Sequence, residues 1–181
     1  MKNTLALLTL LSSTIFAEAT FYFGAGYTYL NETLTKDSSI NISNSGAKIK
    51  VGYGEQKAYA VELSINYIDN SSPLLSLDDK EKYGFDIELM KAWDFDIYAL
   101  PYVRVGFGAG KMSSSARTGK NSITYGSYNA ALGALIPVGT NFELELAYEY
   151  KNISYQKVDS SHLKYSRSHQ NGLYTGVNFR F

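Results

Sequence analysis

The chain closes on Gly172-Leu-Tyr-Thr-Gly-Val-Asn-Phe-Arg-Phe181, and this segment narrows the choice of fold more than any other. Leu173, Thr175, Val177, Phe179 and Phe181 fall on one side of an extended chain. Tyr174, Gly176, Asn178 and Arg180 fall on the other. A period of two is the spacing of a strand with two unlike faces. An amphipathic strand that runs unbroken to a terminal aromatic is rare in a water-soluble fold. It suits a strand that closes a barrel in a bilayer, with its last ring at the interface.

The same alternation recurs upstream. It predicts eight strands, at 20–30, 45–54, 58–69, 82–92, 96–110, 123–136, 141–151 and 169–181. Most come close to the ~9–11 residues that a tilted strand needs to cross a bilayer. The connections at 55–57, 93–95 and 137–140 are short. Those at 31–44, 70–81, 111–122 and 152–168 are long and rich in Ser, Asn and Asp. Short turns on one side and long loops on the other put both termini on the short-turn, periplasmic side. Pro101 interrupts the fifth segment, where a bulge is expected. If the 55–57 turn centres on Gln56, Lys50 falls opposite Glu62, and inward residues face one another only if the turn has an odd number of residues.

Residues 4–16 form an apolar run too short to span a bilayer as a helix. Lys2 precedes it and Ala17-Glu18-Ala19 follows, which predicts a signal peptide over 1–19, cleaved before Thr20. Residues 20–181 then make one barrel domain. No later run is apolar enough for a membrane helix, so a membrane-spanning form has to be a closed barrel. Lys plus Arg and Asp plus Glu number 17 each, which argues against nucleic acid as a partner. With no Cys there is no disulfide framework and no thiolate metal site. Tyr outnumbers Phe, 16 to 9, and a ring with a wet hydroxyl suits a membrane boundary.

One face of the strands is apolar, as in Tyr59, Val61, Leu63, Ile65 and Tyr67. The other carries Lys48, Lys50, Arg104 and Arg180 against Glu62, Asp86, Glu88, Glu143, Glu145 and Glu149, interspersed with Gly. An eight-stranded barrel is only wide enough for its own side chains. These charges are therefore expected to pair inside it as a lumen network.

The chain resembles the small eight-stranded outer-membrane proteins of the OmpA/OmpX and opacity-protein type. The likeness is carried by the leader, the eight segments, the four long connections and the terminal Val177-Phe179-Phe181 strand. It implies an all-β, antiparallel, up-and-down barrel in the outer membrane of a Gram-negative-type cell. Val177, Phe179 and Phe181 resemble the signal read by the outer-membrane assembly machinery. No peptidoglycan-binding domain is expected after the barrel. The resemblance implies adhesion, membrane integrity or host contact without choosing among them.

The remaining chemistry is sparse. His162 and His169 lie among Ser160, Ser161, Ser166 and Ser168, but the close His-x-Ser spacing that resembles lipid A deacylases is absent. Asp78, Asp79 and Glu81 read as a solvated acidic loop rather than a calcium site. No catalytic, metal or cofactor-binding residue is assigned. The connections divide by sign: Lys111, Arg117 and Lys120 have no acid near them, and Lys151, Lys157, Lys164 and Arg167 face only Asp159. Lys111, Arg117, Lys120, Lys157, Lys164 and Arg167 are candidates to contact lipopolysaccharide phosphates or an extracellular partner. The expected role is non-enzymatic, structural or in surface interaction. The rivals are a narrow porin-like channel, a lipid A-modifying enzyme, and a soluble lipocalin-type barrel with its faces inverted.

Overall fold

The computed structural model describes residues 19–35, 39–69, 81–113, 122–156 and 167–181. Eight antiparallel strands close into a barrel: β1 Thr20–Thr35, β2 Ser39–Gly54, β3 Tyr59–Asp69, β4 Glu81–Ala92, β5 Leu100–Ser113, β6 Ser122–Pro137, β7 Phe142–Tyr155 and β8 Arg167–Arg180. Each strand pairs with its neighbours in chain order. β8 returns to β1 from Tyr22↔Arg180 to Thr35↔Arg167, so no sheet edge is left open.

Alternation sets the sidedness. Ile65 and Leu132 are 63% and 64% exposed, whereas Glu62 and Arg104 are fully buried at 0%. Apolar side chains outside and charges inside are stable only when the outer medium is lipid. Rings gather at the strand ends: Phe21 meets Tyr53 at 4.7 Å and Phe142 meets Phe179 at 4.9 Å on the short-turn side, and Tyr67 meets Tyr83 at 5.3 Å on the other. The start of β1 and the end of β8 both lie on the short-turn side. There Phe181 N–H donates to Phe21 O and Arg180 Nη1 donates to Thr20 Oγ1.

Several sequence expectations need correction. The 31–44 connection is mostly strand, because β1 runs to Thr35 and β2 begins at Ser39. β5 starts at Leu100, and Ile97 stands exposed in the turn between β4 and β5. In that turn Asp96 adopts φ 58° while its N–H bonds Asp94 Oδ1, an Asx turn. Pro101 needs no bulge. Its carbonyl accepts from Trp93 N–H, so the side that lacks an N–H faces the β4–β5 turn just beyond the last β4–β5 pair, Ala92↔Tyr102. The β2–β3 turn is odd but centres on Lys57: Gly54 faces Ala60, Gly52 faces Glu62 and Lys50 faces Ser64.

Candidate functional site: the lumen and the upper wall

Inward glycines open the space that the large side chains fill. A Cβ on Gly52 would lie 2.1 Å from Tyr22 Cζ, and one on Gly24 would lie 2.2 Å from Asn178 Oδ1. Nearest the termini, Tyr22, Met90, Leu100, Tyr102 and Leu135 are buried in an apolar floor. At its edge Arg180 Nε and Gln56 Nε2 donate to Glu143 Oε1 at 3.1 and 2.6 Å.

Arg104 occupies the centre of the lumen. Its Nη1 donates to Glu62 Oε2 at 2.8 Å and Glu145 Oε1 at 3.0 Å, its Nη2 donates to Glu149, and Nε lies 3.4 Å from Glu88 Oε1. Lys50 bridges Glu62 at 2.7 Å and Glu145 at 2.6 Å, while Lys48 pairs with Glu149. Tyr22 and Tyr102 hydroxyls donate to Glu62 and Glu145, each at 2.6 Å, and Asn178 Nδ2 donates to Glu145 at 2.9 Å. The planar fork of Arg104 spreads its donors over four carboxylates, where the compact ammonium of Lys50 meets two. Buried charges at this density are tolerable only when each is paired and hydrogen-bonded. Further up, Lys151 Nζ and Asn66 Nδ2 donate to Asp86 at 2.7 and 2.6 Å, and Asn129 Nδ2 donates to Glu88 at 2.7 Å.

A small cavity lies here among Lys48, Asp86, Glu88, Glu149 and Lys151. It leaves about 30 Å³ for the centres of water molecules. One water needs ~10–15 Å³, so the chamber has room for only a few.

A second storey, which sequence reasoning missed, lies above this chamber. Lys82 Nζ donates to both oxygens of Glu32, at 2.6 and 2.7 Å, and Asn44 Nδ2 donates to Glu32 at 2.7 Å. Around them Leu34, Met112, Ile123, Tyr125, Ile153 and Tyr155 pack into a buried apolar cluster. Glu32 was expected in a connection, and Lys82 and Lys151, at the ends of the expected strands 82–92 and 141–151, were left out of the lumen set. The usable signal was parity: Glu32 continues the inward set of Gly24, Gly26 and Thr28, and Lys151 continues that of Glu145 and Glu149.

The rim candidates do not form one patch among the described residues. Lys111 is exposed on β5 and Arg167 on β8, two non-adjacent strands. Arg117, Lys120, Lys157 and Lys164 lie outside the described residues, as do Asp78, Asp79, Ser160, Ser161, His162, Ser166 and all but Ala19 of the expected signal peptide over 1–19. Glu81 points outward and accepts from Tyr83 OH at 2.9 Å. Ser168 is buried inside, 3.2 Å from Tyr155 OH, whereas His169 faces outward against Tyr150 and Asn152. The two neighbours therefore sit on opposite sides of the wall. At the closing strand Val177 faces outward, and Phe179 packs between Phe142 and Phe181.

A closed, all-antiparallel barrel of eight strands with a lipid-type exterior and a paired, charged interior defines a transmembrane β-barrel of the outer-membrane class. The chain belongs to the outer membrane protein beta-barrel domain family, whose model matches residues 4–181, and it is a protein of the outer membrane. Comparison with curated proteins finds no match. Among solved structures it is similar to Neisserial surface protein A, with a TM-score of 0.69 at 16% identity over 91% of this chain and 99% of that one. It is also similar to Ail, the attachment invasion locus protein of Yersinia pestis, with a TM-score of 0.57 at 19% identity over 91% and 99%. A third is the outer membrane protein OprG of Pseudomonas aeruginosa, with a TM-score of 0.53 at 14% identity over 90% and 96%. At these identities the likeness is one of fold.

Proposed function

We propose that the protein is a plugged, non-enzymatic scaffold that presents its long connections at the cell surface for structural or recognition purposes. The observation that carries this reading is the lumen. Arg104 and its carboxylates occupy the middle, and apolar clusters pack below and above them, which supports a plugged lumen. Rigid barrels that display loops are suited to recognition, because the scaffold fixes where the loops stand. The non-enzymatic part is supported by the opposite placement of Ser168 and His169, which keeps them from acting as a nucleophile–base pair.

Lipopolysaccharide phosphates are the proposed partners of Lys111 and Arg167, with Arg117, Lys120, Lys157 and Lys164 proposed on sequence grounds. Residues 1–19 are proposed as a cleaved export signal, and Val177, Phe179 and Phe181 as the segment recognised during membrane assembly. An intact mass of the membrane-extracted protein that still includes Met1 would reject the cleavage.

The scaffold is tested by conductance of refolded residues 20–181 in a planar bilayer, after heat-modifiable gel mobility has established folding. A silent bilayer agrees with the plug. Stable, reproducible conductance steps would overturn it in favour of a narrow channel.

A further inference from the structure

The lumen holds one more acid than it holds bases. With Glu32, Lys82 and Lys151 added to the ten charges expected inside, seven inward acids face six inward bases among the described residues. The pairing shows which acid is left over. Lys151 meets Asp86, Lys48 meets Glu149, Arg180 meets Glu143 and Lys82 meets Glu32. Lys50 and Arg104 together meet Glu62 and Glu145. Glu88 has no base of its own. Arg104 Nε lies 3.4 Å from its Oε1 without forming a hydrogen bond, and that oxygen accepts from Asn129 Nδ2 instead. Glu88 Oε2 accepts from no described residue. A surplus charge that is only 3% exposed, in a barrel surrounded by lipid, is costly until a counter-charge joins it.

Three more unbonded oxygens stand on the same sector of the wall. Above Arg104, β5 continues inward with Gly106 and Gly108, and neither puts a side chain into the lumen. Across Gly106, Glu88 of β4 looks toward Asn129 of β6, and across Gly108, Asp86 looks toward Ser127. Asp86 Oδ1, Ser127 Oγ and Asn129 Oδ1 are buried and make no hydrogen bond among the described residues. Asp86 Oδ1 and Ser127 Oγ converge, lying 1.8 and 2.8 Å from the point that a Cβ on Gly108 would occupy. Donation to Glu88 Oε1 orients the Asn129 amide and leaves its Oδ1 as a free acceptor. The two rows are ~7 Å apart along the strands, so side chains leaning toward each other can share one ion. Arg104 lies below, and the Tyr125 ring lies above, its Cζ 2.3 Å from the Cβ position of Gly110. The chamber beside Asp86, Glu88 and Asn129 leaves about 30 Å³ for the centres of water molecules. That is room for a small ion with one or two waters.

Carboxylate, hydroxyl and amide oxygens are hard donors, suited to alkali and alkaline-earth ions rather than to soft metals. A single surplus negative charge selects a monovalent ion among them. We propose that Asp86, Glu88, Ser127 and Asn129 bind one sodium-type monovalent cation, which completes the charge balance of the barrel core. The proposal needs the barrel fold but neither a sealed lumen nor a loop-borne partner.

The test follows urea unfolding by heat-modifiable gel mobility, with the protein refolded into phosphatidylcholine vesicles. Sodium chloride is exchanged for N-methylglucamine chloride at constant ionic strength, because that organic cation is too large for the chamber. The folding equilibrium constant is expected to rise about tenfold for each tenfold increase in sodium above the dissociation constant, the slope for one ion bound only by the folded state. Glu88→Gln removes the surplus charge and keeps the acceptor for Asn129. It is expected to be as stable in N-methylglucamine as in sodium, with the slope lost. Ser127→Ala keeps the charge and removes one oxygen, and should raise the sodium needed for half saturation about tenfold. A native sequence indifferent to sodium, a full slope in Glu88→Gln, or a response to calcium but not to sodium would overturn the site. If Glu88→Gln does not refold, Ser127→Ala decides: an unchanged sodium requirement overturns the site. Conductance of the same barrel reports separately on whether the lumen is plugged, so either reading can fail without the other.

Discussion

At bilayer height β1 turns Phe23, Tyr27 and Tyr29 outward and Gly24, Gly26 and Thr28 inward. A few residues on, the same unbroken strand turns Asn31 and Thr33 outward and Leu30 and Leu34 inward. The geometry of the strand does not change between the two regions; only the polarity of its faces does. β7 behaves alike: Leu146 and Tyr148 face out over Glu145 and Glu149, then Asn152 and Ser154 face out over Ile153 and Tyr155. In the lower region lipid covers the outside, so the apolar side chains belong there and the charges are confined to a narrow interior. In the upper region water covers the outside, and the barrel packs as a soluble one does, with an apolar core. The comparison teaches that the chain marks its own membrane boundary by exchanging the polarity of its faces rather than by ending its strands.

The largest effect should come from the lower core. Arg104→Ala leaves Glu62, Glu88, Glu145 and Glu149 short of a common partner, and losing one member of a buried ion cluster costs about 3–5 kcal/mol. Urea unfolding followed by gel mobility should show a loss toward the upper end of that range, or a failure to refold. A small change would mean that water reaches these carboxylates.

The upper storey should respond differently to single and paired changes. Lys82→Met alone strands Glu32 in an apolar cluster and should cost about 3 kcal/mol. Adding Glu32→Leu should recover that loss, because a buried pair replaced by apolar residues is often neutral or stabilising by about 1–4 kcal/mol. A double variant as unstable as the single one would refute the description of this storey as a soluble-type core.

The outer face supplies a third contrast. Leu146→Arg puts a charge near the middle of the lipid band and should cost about 2–4 kcal/mol, whereas Ser154→Arg, above the boundary on the same strand and face, should cost about 0–1 kcal/mol. Equal costs measured in lipid vesicles would move the boundary from where the polarity exchange puts it.

The smallest effect concerns the turn on the periplasmic side. The Lys57 ammonium on Asp94, aided by Asp96 N–H, holds the Asp94 carboxyl below its ordinary range. A depressed carboxyl stabilises the fold at pH values above the unfolded-state pKa, and that contribution is lost as the pH falls through the folded value. Lys57→Ala should therefore slightly flatten the acid limb of a stability–pH curve and leave neutral pH almost unchanged, since the pair is solvent-exposed. A marked drop in stability at neutral pH would contradict this.

Much of the fold was legible because alternation is a local property. The eight segments, the short turns and the inward charges from Lys48 to Arg180 follow from counting by twos. The upper storey was missed because the reading followed polarity rather than parity. At Leu30-Asn31-Glu32 the outward residues turn polar, and that pattern looks like the start of a loop when only the apolar face is tracked. Lys82 and Lys151 stood at the ends of expected strands and were left out of the inward set, although parity puts both inside. Ile97 was drawn into β5 by an apolar pattern that the Asp94–Asp96 turn interrupts.

By itself the sequence determined the barrel, its membrane class and which residues face inward, because each depends on period and composition along one strand. Only the tertiary structure decided which charges meet. Lys50 joins Glu62 from an adjacent strand to Glu145 from across the lumen, and Arg104 reaches four carboxylates on three other strands. Those pairings depend on register and stagger, which a shift of two residues in one turn rearranges without altering the alternation of any strand.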